Sequence, residues 1–466
     1  FFDECFYQRA KRLERQSHIL VANHHLIFTH IASGWNVLPQ FDAIVFDEAH
    51  EIEDVATDYL GLEISNTVLR YILDSIVSQR GRGYLMRLKE IEASRIEEIA
   101  DIVGRLRSDG ERFFNSLAMT IDSGRAKKLT ISEQLISLKN ELSGELNKLV
   151  ESIGHICTEQ GDTEECRDLK AMADRCHSFR ETMDVIIEQT LDEHVYWASV
   201  EGRKIKAIAT PIELGAVLNA QLFQIIDRVV LTSATLTVKG SFEYLKDRLG
   251  IKDAETLCLK SPFEYEKQVC LYIPDNIPDP QDDGYIDAIS AEINRIIEHT
   301  GGRTLLLFTS YSMLDSIAER INRGKIRILR QGDRDSYSLI EEFKQTERAL
   351  LLGTYTFWQG IDIPGDALQC VVITKLPFAV PTDPVVEARM DALERRGQDP
   401  FYSYQVPNAV IRFRQGFGRL IRTSEDSGLV AILDSRILKR RYGLIFLKSL
   451  PRMRIINSLS EYYAPL

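Results

Sequence analysis

The run Ile44-Val-Phe-Asp47-Glu48-Ala49-His50 ends an apolar stretch in two adjacent carboxylates and a histidine. Asp47 would stand at a strand tip, where an oxygen ligand suits the hard cation Mg²⁺. Glu48 can then orient or deprotonate a water that attacks a terminal phosphate. His50 can sense that site and link it to a neighbouring element. Adjacent acids also cap helices, but all four residues after an apolar run favour the chemical reading. A second run, Val229-Val-Leu-Thr-Ser233-Ala-Thr235-Leu, sets small hydroxyls after an apolar strand. Ser233 and Thr235 can hydrogen-bond to an acidic pair across the carboxyl edge of a sheet, or cap the next helix.

Two further segments carry polar chemistry. Arg412-Phe-Arg414-Gln415-Gly-Phe-Gly418-Arg419-Leu-Ile-Arg422 places Arg419 and Arg422 three apart, which predicts one helix face. Two guanidinium groups can hold the charge that spreads during phosphoryl transfer. A solvated basic face is the plainer alternative. The Gly-Phe-Gly piece lacks the third glycine and the preceding strand of a dinucleotide fingerprint. In Gly353-Thr-Tyr-Thr-Phe-Trp358-Gln-Gly360-Ile-Asp362, Gly360 permits close backbone approach, and Asp362 can contact a ribose or a coupling arginine. Trp358 reads equally as a stacking platform for a base or as a core aromatic.

Buried parallel strands are predicted by short apolar runs without alternation at Ile19–Ala22, Ala43–Phe46, Val229–Leu231, Leu305–Phe308, Leu350–Leu352, Val371–Ile373 and Leu429–Leu433. Helical patterns between them give an α/β class. From about Asn66 to Glu193 the pattern turns helical. Leu135, Leu138, Leu142, Leu146 and Leu149 form one stripe, and Thr130-Ile-Ser-Glu133 fits a capping box at its start. The chain thus divides into residues 1–18, a first α/β unit at 19–65 and 195–258, an all-α insertion at 66–194, and a second α/β unit at 259–466.

The chain has 466 residues, 44% apolar and 27% charged, which fits a globular protein rather than a disordered or fibrous one. Its net charge of −12 argues against an anionic partner, but the charge is segregated. Residues 131–200 hold 15 acidic and 6 basic side chains, while residues 401–466 hold 11 basic and 4 acidic ones. No apolar run approaches the ~20 residues that span a bilayer, and the first residues do not read as a signal peptide. Seven cysteines without CxxC spacing suggest reduced thiols, and Cys157, Cys166 and Cys176 lack metal-site spacing.

In order and spacing these segments resemble motifs II, III, V and VI of a superfamily-two helicase, and most of all the XPD/DinG branch. The likeness extends over most of the chain. It includes Val21-Ala-Asn-His-His25, Asp47-Glu-Ala-His50, Leu231-Thr-Ser-Ala-Thr-Leu236, Leu306-Leu-Phe-Thr-Ser-Tyr311, Leu376-Pro-Phe-Ala-Val-Pro-Thr-Asp-Pro384 and Gln415-Gly-Phe-Gly-Arg-Leu-Ile-Arg422. The resemblance implies two RecA-like domains clamping ATP and Mg²⁺, with the helical insertion as an Arch domain. It implies that Asp47 binds Mg²⁺, that Gln415 and Arg419 contact the phosphates with Arg419 as arginine finger, and that Arg422 is the second arginine of the motif. It assigns Asn23, His24 and Trp358 to DNA and His50, Ser233 and Thr235 to coupling. The implied activity is five-prime to three-prime DNA unwinding by a cytoplasmic, nucleoid-associated monomer on single-stranded or forked DNA. Phe1-Phe-Asp-Glu-Cys5-Phe-Tyr resembles the end of the family's iron–sulfur region, with Cys5 as one of four ligands of a [4Fe–4S] cluster.

Two departures qualify the likeness. The Gly-Lys-Thr/Ser phosphate loop of the family is not found in the 466 residues, and Gly301-Gly-Arg-Thr304 leads into a strand instead of a helix. That loop and three cluster cysteines are expected upstream of Phe1, and without the loop the chain is expected to lack DNA-stimulated ATPase activity. Gln359 also stands where many relatives carry Glu. The rival readings are a non-catalytic nucleic-acid-binding module on a helicase scaffold and a nuclease-linked DinG-like protein.

Overall fold

The computed structural model describes residues 5–88, 91–121, 126–322, 324, 326–363 and 365–462. In chain order the strands are β1 (Ala43–Phe46), β2 (Leu62–Ser65), β3 (Lys127–Lys128), β4 (His194–Glu201), β5 (Lys204–Pro211) and β6 (Arg228–Leu231). They continue with β7 (Val269–Tyr272), β8 (Thr304–Leu307), β9 (Arg327–Arg330), β10 (Ala349–Gly353), β11 (Cys370–Ile373), β12 (Gly428–Ile432) and β13 (Arg454–Ile456).

These strands make three sheets. The second RecA-like lobe is built on a seven-stranded parallel sheet of order β13-β7-β12-β11-β8-β10-β9. Every residue of β7, β8, β11 and β12 is buried, because helices cover both faces, and this is why those runs show no alternation. In the first lobe β1 and β6 pair in parallel, with Phe46 opposite Leu231. Ile44 and Phe46 point into a core with Phe28, Ala49, Ile52 and Leu218.

The third sheet is antiparallel, of order β2-β5-β4-β3. It underlies the long helices Ala93–Met119, Glu133–Gln160 and Glu164–Glu188. The stripe Leu135, Leu138, Leu142, Leu146 and Leu149 is buried, as are Cys157, Cys166 and Cys176, all in one cluster. Burial pushes the Cys176 thiol up to about 12, so it is an uncharged packing group at neutral pH. Tyr196 and Ala198 of β4 and Ala207 and Ala209 of β5 join the same cluster. Apolar packing therefore carries the insertion past residue 194 into the strand pair assigned from sequence to the first unit.

Two local expectations are corrected. Ile19–Ala22 forms no strand, and Ile19 and Val21 are exposed. An extended segment needs a ladder partner to become a strand, and none lies beside it among the described residues. The cap of the Glu133–Gln160 helix is Ser132, whose hydroxyl accepts from Leu135 N–H at 3.1 Å, and not Thr130.

Candidate active site

The first lobe presents its acids at the carboxyl tip of β1. Pairing of β1 with β6 continues one step beyond the strands. Thr232 N–H donates to Phe46 C=O at 2.9 Å and Ala49 N–H donates to Thr232 C=O at 3.0 Å. That register brings the segments after both strands together. Asp47 is exposed at the tip. Glu48 follows with φ 47° and ψ 45°, a left-handed backbone rarely taken by a residue with a side chain. Such strain persists where the surroundings over-determine it, and here it turns the Glu48 carboxylate toward Ser233.

Ser233 Oγ donates to Glu48 Oε2 at 3.1 Å and lies 2.8 Å from His50 Nδ1. With its single proton given to Glu48, Ser233 accepts from His50 Nδ1–H and, at 3.2 Å, from Thr235 N–H. Thr235 Oγ1 is 3.4 Å from the same imidazole nitrogen. Burial lowers the His50 pKa below its ordinary 6.5, outweighing the pull of Glu48 and Asp54, so the ring is neutral at neutral pH. Its Nε2 is then a buried acceptor with no hydrogen-bond partner, and Glu51 Oε1 lies 3.8 Å away. Burial also raises the Glu51 carboxyl above its ordinary range.

The second lobe supplies the cations. The helix Val406–Phe417 ends before Gly418, so Arg419 and Arg422 lie on the turn beyond it and not on one helix face. The turn is tied by Asp426, whose carboxylate accepts from Arg422 N–H, Thr423 N–H and Gly365 N–H. Both guanidinium groups nevertheless converge: Arg419 Nη1 and Arg422 Nη2 donate to Ile361 C=O at 2.8 and 2.7 Å. Burial and the neighbouring Arg422 lower the Arg419 pKa to about 10, against the opposing charges of Glu48, Asp362 and Glu51. Asp362 Oδ1 is 3.6 Å from Arg422 Nε. Gly360 has φ +69°, and a Cβ there would meet nothing within 4 Å, so backbone conformation and not crowding favours glycine.

Gln415 is buried beneath this turn. Its Oε1 accepts from Gln359 Nε2 at 3.2 Å, and its Nε2 has no hydrogen-bond partner. Buried donors at Gln415 Nε2 and Arg422 Nε, beside two arginines sharing one carbonyl, fit an anion with many acceptor oxygens. The exposed carboxylate of Asp47 fits a hard cation on the opposite side. The [4Fe–4S] cluster does not fit these residues. Cys5 is an exposed thiol, and no group of three or more potential ligands occurs among the described residues.

Three placements differ from the sequence expectation. Trp358 is 2% exposed and its indole N–H donates to Phe308 C=O at 3.0 Å, so it is a core aromatic and cannot stack a base. Asn23 Oδ1 accepts from Leu26 N–H and caps the helix His24–Ala32, which employs the side chain assigned to DNA. The His24 ring lies tilted against Phe46, with centroids 5.7 Å apart, and faces Glu51 at 3.9 Å, on the acidic site.

Residues 293–453 match a family model described as the helicase C-terminal domain. The chain is 32% identical over 461 residues to the ATP-dependent DNA helicase YoaA of Escherichia coli K12, covering 97% of this chain and 69% of that protein. It belongs to the YoaA/DinG family of ATP-dependent helicases. The ATP-dependent helicase DinG of Mycobacterium tuberculosis H37Rv is 31% identical, over 97% of this chain and 66% of its own length. A Bacillus subtilis 168 relative named 3'-5' exonuclease DinG is 29% identical, and the chain spans 53% of it. The fold is similar to a solved XPD helicase (TM-score 0.56, 15% identity, 92% of this chain and 72% of that one). It is also similar to Xpd4 of S. tokodaii (TM-score 0.54, 16% identity, 92% and 79%).

In this family member, the arginine segment also makes contacts across the lobes whose partners no motif names. Arg414 donates to Thr237 C=O at 2.9 Å and Ala234 C=O at 3.0 Å, joining the arginine segment directly to the segment after β6. Asp54 Oδ2 meets Arg412 Nη2 at 3.3 Å and accepts from Tyr355 O–H at 3.0 Å, and the Arg412 guanidinium lies 4.7 Å from the Tyr355 ring centroid. The density of arginines in Arg412-Phe-Arg414 was the available clue, but sequence does not say which carbonyls they reach.

Proposed function

We propose that this chain is the motor part of a DNA helicase that uses ATP hydrolysis between its two lobes to translocate five-prime to three-prime on single-stranded DNA. In this reading Asp47 would hold Mg²⁺, which would supply positive charge to offset that of the phosphates. Glu48 orients the attacking water and takes its proton, Arg419 and Arg422 meet charge developing on the transferred group, and Gln415 donates to a phosphate oxygen. The Ser233 hydroxyl ties Glu48 to His50, so a change at the carboxylate is felt at the segment after β6, which Arg414 holds to the second lobe. The observation that carries the reading is that Arg414, on the helix that leads into Arg419, donates to Ala234 C=O of the other lobe at 3.0 Å, next to the Ser233 that donates to Glu48.

DNA is the proposed partner because the E. coli relative is named a DNA helicase and residues 401–466 are locally basic. Such an enzyme works on the nucleoid, in the cytoplasm, as a single chain, and repair or replication is the setting that fits unwinding. A [4Fe–4S] cluster would need ligands besides Cys5. Residues 1–466 contain no Gly-Lys-Thr/Ser loop, so purified 1–466 is expected to show no hydrolysis stimulated by single-stranded DNA. The protein isolated from its own cells is expected to hydrolyse ATP and to lose at least 10³-fold on Arg419→Ala, the lower range for an arginine finger. Stimulated hydrolysis by 1–466, or an unchanged rate in the variant, overturns the respective statement.

The B. subtilis relative's name favours a second reading, a linked exonuclease. The described residues hold no carboxylate cluster for the metal ions of a nuclease, so such activity would not belong to them. ATP-independent loss of nucleotides from a three-prime end, unaffected by Glu48→Gln, would support it.

A further inference from the structure

One turn beyond the acidic motif, the helix Ile52–Tyr59 carries Glu53 into the interior. Glu53 Oε1 accepts from Arg248 Nη2 at 2.6 Å and Nε at 3.1 Å, both within the first lobe. The same oxygen meets Arg389 Nη1 at 2.8 Å, and Arg389 belongs to the helix Pro384–Arg395 of the second lobe. Arg389 Nη2 also donates to Thr57 Oγ1 at 2.9 Å and Nε to Ile212 C=O at 3.3 Å. Arg389 is 3% exposed, Arg248 7% and Glu53 9%.

A guanidinium in this position does what an ammonium cannot. Its planar fork reaches a carboxylate and a hydroxyl on the Ile52–Tyr59 helix and a carbonyl at Ile212, just past the strand Lys204–Pro211, at once, so one side chain ties two separate segments outside the second lobe. The helix around it is shaped for the same docking. Val385, Ala388 and Ala392 pack with Val195 and Ile212, and Lys128 pairs with Glu387 at 3.1 Å. The neighbouring residue Asp54 grips Arg412 on the helix that carries Gln415. The helix after the acidic motif thus holds two second-lobe arginines through consecutive carboxylates.

We propose that Arg389 is a positioning residue that locks the second lobe onto the Ile52–Tyr59 helix and thereby sets how Arg419 faces Glu48. It touches no reacting atom. Its consequence for hydrolysis rests on the helicase reading, whereas its control of lobe geometry does not.

The test uses spin labels on the chain with exposed Cys5 and Cys258 replaced by Ser. One pair of labels, at exposed Lys239 and His299, spans the lobes, and a control pair, at His299 and Glu425, lies within the second lobe. With neither ATP nor DNA present, Arg389→Gln is expected to broaden the inter-lobe distance distribution at least twofold and leave the control pair unchanged. Thr57→Val, which leaves no buried charge unpaired, is expected to give a smaller broadening of the same pair. In the protein isolated from its own cells, Arg389→Gln is expected to lower kcat for ATP hydrolysis about tenfold with KM within twofold. An inter-lobe distribution that superimposes on wild type overturns the lock, as does equal broadening of both pairs. A broadened distribution with unchanged kcat overturns the positioning role and leaves the lock standing.

Discussion

Glu53→Gln should be among the costliest single substitutions in the molecule. Burial alone would raise the Glu53 carboxyl, but Arg248 and Arg389 outweigh it and hold the pKa at about 2, against 4.5 ordinarily. At 1.36 kcal/mol per unit, that depression corresponds to about 3 kcal/mol. The figure agrees with the ~3–5 kcal/mol typical of removing one partner from a buried ion pair, since Gln would leave two guanidinium groups facing each other without a counter-charge. The sign with pH follows from the depressed value. The stabilisation is fully present above about 4.5 and is lost as pH falls toward about 2. Hydrogen exchange of the Ile52–Tyr59 and Glu243–Leu249 helices in increasing urea, at pH 7 and pH 3.5, measures both effects. At pH 7 the substitution should speed exchange by about 10²-fold or more, and the gap should narrow at pH 3.5. A loss under about 1 kcal/mol at pH 7, or a gap independent of pH, would refute the argument that Glu53 is held by its two arginines.

Other outcomes follow from single contacts. Gly416→Ala should destabilise the second lobe by about 1–3 kcal/mol in urea, because the new Cβ would lie 2.6 Å from Trp358 Cε3 and 3.0 Å from Leu307 Cδ1. Tolerance without loss would contradict the packing. Ser233→Ala removes the nearest acceptor of the His50 Nδ1–H, leaving Thr235 Oγ1 and Glu48 Oε2 at 3.4 Å, at a cost of about 1 kcal/mol, and nuclear magnetic resonance of the His50 ring should report the tautomer balance shifting toward Nε2–H. An unchanged tautomer would show that Ser233 does not set it. Affinity for single-stranded DNA should fall steeply with salt. Replacing exposed Arg441, Lys448 and Arg452 by Ala should lower the slope of log K against log salt by about 2, at roughly 0.7 per phosphate contact. An unchanged slope removes these residues from the DNA surface.

The second lobe was legible because a doubly covered parallel sheet writes itself as unbroken apolar runs, as at Leu350–Leu352 and Val371–Ile373. Strands β4 and β5 were not, because they pair antiparallel beneath the insertion and carry mixed residues such as Ser199 and Lys206. Ile19–Ala22 shows the converse: an apolar run states a preference, and only a paired neighbour makes it a strand. At the site, Asp47, Glu48, Ser233 and Arg419 stand where short-range spacing could find them. Helix termination at Gly418 changed how Arg419 and Arg422 meet, though not that they meet. Trp358 illustrates a limit of residue type, since an indole suits a base or a core equally and only the Gly416 and Phe308 neighbourhood decides. The cross-lobe links of Arg389, Arg412 and Arg414 join residues 177 to 358 positions apart, and no local pattern encodes such partners.

The most direct test of the account is strand displacement by the protein isolated from its own cells, on a forked duplex with Mg²⁺ and ATP. Wild type should unwind, while Glu48→Gln and Arg419→Ala should each abolish displacement and retain binding to single-stranded DNA. Unwinding at the wild-type rate by either variant would contradict the claim that these two residues, one from each lobe, complete a single hydrolysis site.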